Sequence, residues 1–228
     1  MRRLPVYLLL DCSDSSVSGE TLQQIDNGAQ MLVAELQKDR RALELVWVSV
    51  ITHGAEVDIH VPMTDLAYLK IPKLERDRGG CVLGKALALV ASRAAGECIP
   101  KKSNGRGDDP PLVFILSGAE PTDDWEKGFA QFQLQRWGKV AGCVVRDGPV
   151  GIMRTITAGN TTPIDSSASG AMEEFCKWAS QIIMWSHKNL KEKQEAEIKL
   201  EREGEARLKE AEWKRKEEED RKRKEDEK

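Results

Sequence analysis

Three short runs of almost purely apolar residues govern what this chain can fold into: Arg3 to Leu10, Leu112 to Leu116 and Lys139 to Val145. A strand with one wet face alternates apolar and polar side chains, so an unbroken apolar run implies a strand covered on both faces. Between these runs lie segments whose apolar residues recur every three or four positions. Ser18 to Leu36 carries Leu22, Ile25, Ala29, Leu32, Val33 and Leu36 in that spacing. Gly84 to Ala95, Asp124 to Trp137 and Gly170 to Trp185 read as further helices, and Val150 to Ile156 as one or two helical turns. Leu43 to Thr52 and Glu56 to Met63 alternate, and the short link containing Gly54 makes them a hairpin. Residues 100–111 are a polar loop. Strands alternating with helices predict a doubly wound α/β domain, its sheet mostly parallel with one antiparallel edge strand.

Charge divides the chain. The 228 residues carry 35 Lys+Arg against 38 Asp+Glu, a net charge of -3. From Lys191 to Lys228, 15 residues are acidic and 14 basic, so this stretch is a dense and nearly balanced polyampholyte. The reading is a domain over 1–187 followed by a charged helical tail over 188–228. Pairs such as Glu195 with Lys199 and Glu210 with Lys214 support a helix at about 0.2–0.5 kcal/mol each. The sparse apolar residues there hold no sustained heptad, which argues against a strong coiled coil. Acids match bases throughout, which argues against nucleic-acid binding. No stretch reaches the roughly 20 apolar residues of a membrane span, and the apolar run at the start is too short for a secretory signal. Five scattered cysteines and three histidines show no metal-binding spacing. The expected compartment is the cytoplasm.

In doubly wound sheets, ligands bind beyond the C-terminal strand ends, where strand order switches. The first apolar run ends at Asp11-Cys12-Ser13-Asp14-Ser15. A carboxylate and two hydroxyls on one loop offer hard oxygen ligands, suited to Mg²⁺ or Mn²⁺. The alternative is a turn with a helix N-cap.

The residues around this loop carry a wider likeness. The opening Arg2-Arg3-Leu4-Pro5-Val6-Tyr7-Leu8-Leu9-Leu10-Asp11, with Ser13, Ser15 and Ser18-Gly19-Glu20, resembles bacterial von Willebrand factor A domains of the tellurium-resistance TerY type. The likeness continues through Pro62-Met63-Thr64-Asp65-Leu66, Leu83-Gly84-Lys85-Ala86-Leu87 and Glu120-Pro121-Thr122-Asp123-Asp124-Trp125, and spans about residues 2–187. It implies a metal-ion-dependent adhesion site (MIDAS) using Asp11, Ser13 and Ser15. Two further ligand positions depart from the pattern: Cys81 stands where a Thr is expected, and Gly118 where an Asp is expected. A thiol is a soft partner for a hard ion, and the second carboxylate is gone, so weak or absent Mg²⁺ or Mn²⁺ binding is expected. Asp14, Glu120, Asp123 and Asp124 are the nearby acids, of which Asp123 and Asp124 read as caps of the helix after them.

The resemblance implies a non-enzymatic, cytoplasmic protein-interaction module of a tellurite-resistance or stress-response system, with kinase or phosphatase signalling partners. The competing reading is an enzyme with Cys12 or Cys81 as nucleophile. That chemistry needs a nearby base. His53 and His60 read as hairpin residues away from the site, and His187 lies near the tail. A haloacid-dehalogenase phosphatase is excluded because Ser13 stands where its general acid belongs. A phosphate-binding P-loop is excluded because Gly79 to Lys85 has the wrong spacing.

Overall fold

The computed structural model describes residues 3–13, 19–100, 107–145, 148–164 and 175–186. All lie within the compact unit Met1–Ser186. The charged tail lies outside the described residues.

Six strands form one sheet in the order β3-β2-β1-β4-β5-β6. They are β1 (Leu4–Asp11), β2 (Val46–His53), β3 (Val57–Asp65), β4 (Leu112–Ser117), β5 (Lys139–Val145) and β6 (Thr161–Ile164). Only the β2–β3 pairing is antiparallel, so the hairpin supplies the edge strand as expected. The helices are α1 (Gly19–Leu36), α2 (Arg40–Leu45), α3 (Leu83–Glu97), α4 (Trp125–Gln133) and α5 (Val150–Ile156), with a sixth, α6, over 175–186.

The apolar runs became central strands because both of their faces are covered. Every residue of β1 and of β4 is buried. Val6, Leu8 and Leu10 face a core completed by Ile25, Leu32 and Leu36 of α1 and by Phe175, Ala179 and Ile183 of α6. Tyr7 and Leu9 face the opposite core, filled by Leu83, Leu87 and Val90 of α3, Phe132 of α4 and Met153 of α5. Each such Leu or Val contributes about 1.5–3 kcal/mol by leaving water. The Tyr7 hydroxyl, deep in this second core, donates to Glu97 Oε2 at 2.9 Å.

Some boundaries moved. Leu43 and Leu45 do not alternate in a strand; they belong to α2. Asp39 caps that helix by accepting from the Arg41 and Ala42 amides, so the strand starts only at Val46. β6 is a four-residue strand, Thr-Thr-Pro-Ile, too short and too polar for the apolar pattern to reveal. α4 stops at Gln133, short of Trp137. The first five residues of the Gly170–Trp185 helix, Met172 among them, lie outside the described ones.

Helices α3 and α4 pack backbone to backbone. A Cβ built on Gly128 would lie 2.0 Å from the Gly84 carbonyl oxygen, so only hydrogen fits at that crossing.

Candidate functional site at the strand ends

β1, β2 and β4 lie side by side, and the two-residue repeat of a strand aligns their last side chains. Leu9, Ile51 and Ile115 share one face of the sheet in register. Two residues on, Asp11, His53 and Ser117 emerge on that same face, with Asp11 and His53 directly paired.

The segment between β3 and α3 is stitched across these ends. The Asp77 amide donates to the Cys12 carbonyl at 2.9 Å, and the Val82 amide to the Gly54 carbonyl at 3.0 Å. The Thr122 amide donates to the Cys81 carbonyl at 2.8 Å. Cys81 is thereby fixed over the strand ends with its Sγ 3.5 Å from His53 Nδ1. One ligand atom each from Asp11, His53 and Cys81 lies within 4.8 Å of the others. The three residues are 3%, 0% and 0% exposed.

Asp11 is held by a ring of donors. Its Oδ1 accepts from the Ser13 amide at 2.9 Å and the Ser13 hydroxyl at 2.6 Å. Its Oδ2 accepts from the Ser117 hydroxyl at 3.0 Å, the Gly118 amide at 3.0 Å and the Ala119 amide at 3.1 Å. Burial pushes the carboxyl up, but the His53 ring and the donors from Ser13 and Gly118 outweigh it and hold the pKa below the usual carboxylate range. Burial lowers the His53 pKa, with Asp11 and Asp123 pulling the other way. Burial raises the Cys81 thiol, and the Asp11 charge adds to the effect.

The structure brings together Asp11, Ser13, Cys81 and Gly118, as the sequence pattern expects. Ser15 and Asp14 lie outside the described residues, as does His187. His53 is a correction: it is not a turn residue away from the site but a fully buried neighbour of Asp11 and Cys81. The missed signal was strand parity, since His53 follows the apolar Ile51 by two residues. His60 keeps its expected place on the hairpin, 2.9 Å from the Pro72 carbonyl. Asp124 caps α4 by accepting from the Lys127 amide. Asp123 instead caps α3, accepting from the Gly84 and Lys85 amides at 3.0 and 2.9 Å. Glu120 is exposed beside the site. Cys12 is buried on the opposite sheet face, and burial, with Asp11 next, pushes its thiol up to about 12.

The geometry bears on a hard ion. A Cβ on Gly118 would lie 2.4 Å from Cγ2 of the buried Thr21, so the space of the missing carboxylate is filled by a methyl group. The remaining donors among the described residues are one carboxylate, the Ser13 and Ser117 hydroxyls, a thiol and an imidazole. Mg²⁺ and Mn²⁺ favour carboxylate, carbonyl and water oxygens, so this set suits them poorly.

The sheet order, the antiparallel edge and the strand-end site define the fold of a von Willebrand factor A domain, and solved structures of that class superpose on it. A von Willebrand factor type A protein from Catenulispora acidiphila matches with a TM-score of 0.62 at 12% identity, covering 80% of this chain and 43% of that one. The pilus adhesin SpaC from Lactobacillus rhamnosus GG matches with a TM-score of 0.60 at 10% identity, covering 80% and 30%. Proximal thread matrix protein 1 from the mussel byssus, with a zinc-occupied MIDAS motif, matches with a TM-score of 0.53 at 12% identity, covering 81% and 47%. The matched region is thus less than half of each of these chains. No protein-family profile matches the sequence, and neither does any curated protein. No described helix is long and apolar enough to cross a membrane.

Proposed function

We propose that this chain is a non-enzymatic protein-interaction module that binds a partner protein at the C-terminal ends of its parallel strands. The observation that carries the reading is the buried, donor-ringed Asp11 at the switch point between β1 and β4, where doubly wound folds place their ligand sites. That one fold neighbour is a pilus adhesin supports it. At finer grain, the module serves a cytoplasmic, TerY-type tellurite-resistance or stress-response system, with kinase or phosphatase components as partners. Its MIDAS position is degenerate toward hard ions, binding Mg²⁺ or Mn²⁺ weakly or not at all.

The second reading, a cysteine-nucleophile enzyme, gains one observation: His53 stands within reach of Cys81 as a base. Against it, both side chains are fully buried and the Cys81 thiol is held protonated, whereas a reactive thiol needs exposure and a lowered pKa. Alkylation with iodoacetamide separates the two. The module predicts that half-buried Cys98 labels first and that Cys12 and Cys81 label only on unfolding. Rapid, pH-dependent labelling of Cys81 in the folded protein would support the enzyme instead.

A further inference from the structure

The geometry points to a zinc site built from Asp11, His53 and Cys81, a ligand set that replaces the hard-ion site instead of merely losing it. We propose that these three side chains bind Zn²⁺ with a water or a hydroxyl in the fourth position.

Four observations carry this. First, a tetrahedral Zn²⁺ with bonds of about 2.0–2.1 Å to nitrogen and 2.3 Å to sulfur holds those two atoms about 3.6 Å apart. Cys81 Sγ and His53 Nδ1 already stand at 3.5 Å, and the Asp11 ligand atom lies within 4.8 Å of both. Second, the charges balance. Zinc binding releases the Cys81 proton, and a carboxylate, a thiolate and a neutral imidazole then exactly offset the ion, which a buried site requires. Third, thiolate and imidazole together select zinc over Mg²⁺ or Mn²⁺. Fourth, the site has a supporting shell. Ser13, Gly118 and Ala119 orient the carboxylate. The Ser117 hydroxyl has a second acceptor, the Ala119 carbonyl at 3.4 Å, to which it can turn when Oδ2 takes a metal.

The test uses the full chain, stripped with chelator and titrated separately with Zn²⁺, Co²⁺ and Mg²⁺. The expected result is one equivalent of Zn²⁺ bound at least about 100-fold more tightly than Mg²⁺. Co²⁺ should give a thiolate charge-transfer band and intense tetrahedral d–d bands. Cys81→Ser should abolish that band and weaken Zn²⁺ by more than the ~10–100-fold expected of a supporting residue. Cys98→Ser should keep both. Circular dichroism shows whether each variant is folded. If Cys81→Ser does not fold, protection of Cys81 from slow alkylation by Zn²⁺ in the natural chain is the readout. Absence of stoichiometric Zn²⁺, a cobalt band that survives Cys81→Ser or vanishes in Cys98→Ser, or Mg²⁺ binding more tightly than Zn²⁺ would overturn the proposal. It stands apart from the interaction function, because metal binding is measured without a partner.

Discussion

His53 Nδ1 lies 3.5 Å from Cys81 Sγ, and neither side chain reaches solvent. The two residues are joined by backbone stitching: the Cys12 amide donates to the His53 carbonyl, and the Val82 amide to the Gly54 carbonyl. The pair is thus placed by main-chain geometry, and side-chain changes there should alter chemistry more than architecture.

Burial lowers the His53 pKa, against the pull of Asp11 and Asp123 and with the neutral Cys81 thiol beside it. In the metal-free protein, the unfolded chain therefore takes up a proton near pH 6.5 that the folded chain resists. The unfolded state binds more protons there, so stability rises with pH. The contribution is complete above about pH 6.5 and is lost as pH falls toward the folded value. His53→Gln should flatten this part of the pH dependence of urea unfolding. An unchanged slope would mean that His53 is not the group responsible.

Gly118→Asp should be destabilising by about 1–3 kcal/mol, because its Cβ would meet Thr21 Cγ2 at 2.4 Å. Thr21→Ala should relieve most of that cost, and a double-mutant cycle should show strong coupling. Adding Cys81→Thr to the pair should create Mg²⁺ binding detectable by calorimetry. Additive effects of the first two changes would show that Thr21 does not fill the vacant position.

An alanine in a helix interior is ordinarily favoured over glycine by about 0.5–1 kcal/mol. At Gly128 the sign should reverse, because the new methyl would meet the Gly84 carbonyl oxygen at 2.0 Å. Gly128→Ala is expected to lower the denaturant midpoint, while Gly96→Ala in α3, where the space is open, should not. A stabilised Gly128→Ala protein would contradict the close α3–α4 approach.

Asp11→Asn should cost about 1–3 kcal/mol, since an amide nitrogen would face hydrogen-bond donors in a buried ring. Urea unfolding at neutral pH measures it. A neutral effect would mean that the Asp11 charge is not what the ring holds.

Much of the architecture was legible because β1, β4 and β5 are almost wholly apolar between their end residues, and that pattern has few other uses. Helix α2 was hidden because Leu43 and Leu45 fit an alternating strand as well as a short helix, and only the Asp39 cap decides between them. β6 was hidden because Thr161 to Ile164 have no pattern of their own; they are a strand only by pairing with β5. In the site, Asp11, Ser13, Cys81 and Gly118 could be found from local motifs. His53 could not, because its role depends on the register that sets it opposite Asp11, and register is a relation between distant segments. The filling of Gly118's space by Thr21 is likewise a contact across the fold.

The central claim is that partner binding occurs at the strand ends, and affinity capture from the native host with paired surface variants tests it most directly. Glu120→Lys changes the exposed rim of the site, and Arg40→Glu changes another exposed position, at the start of α2. Capture is run with and without EDTA. The account predicts a discrete partner that is retained by Arg40→Glu and lost or sharply reduced by Glu120→Lys. A partner retained by Glu120→Lys and lost by Arg40→Glu would contradict it.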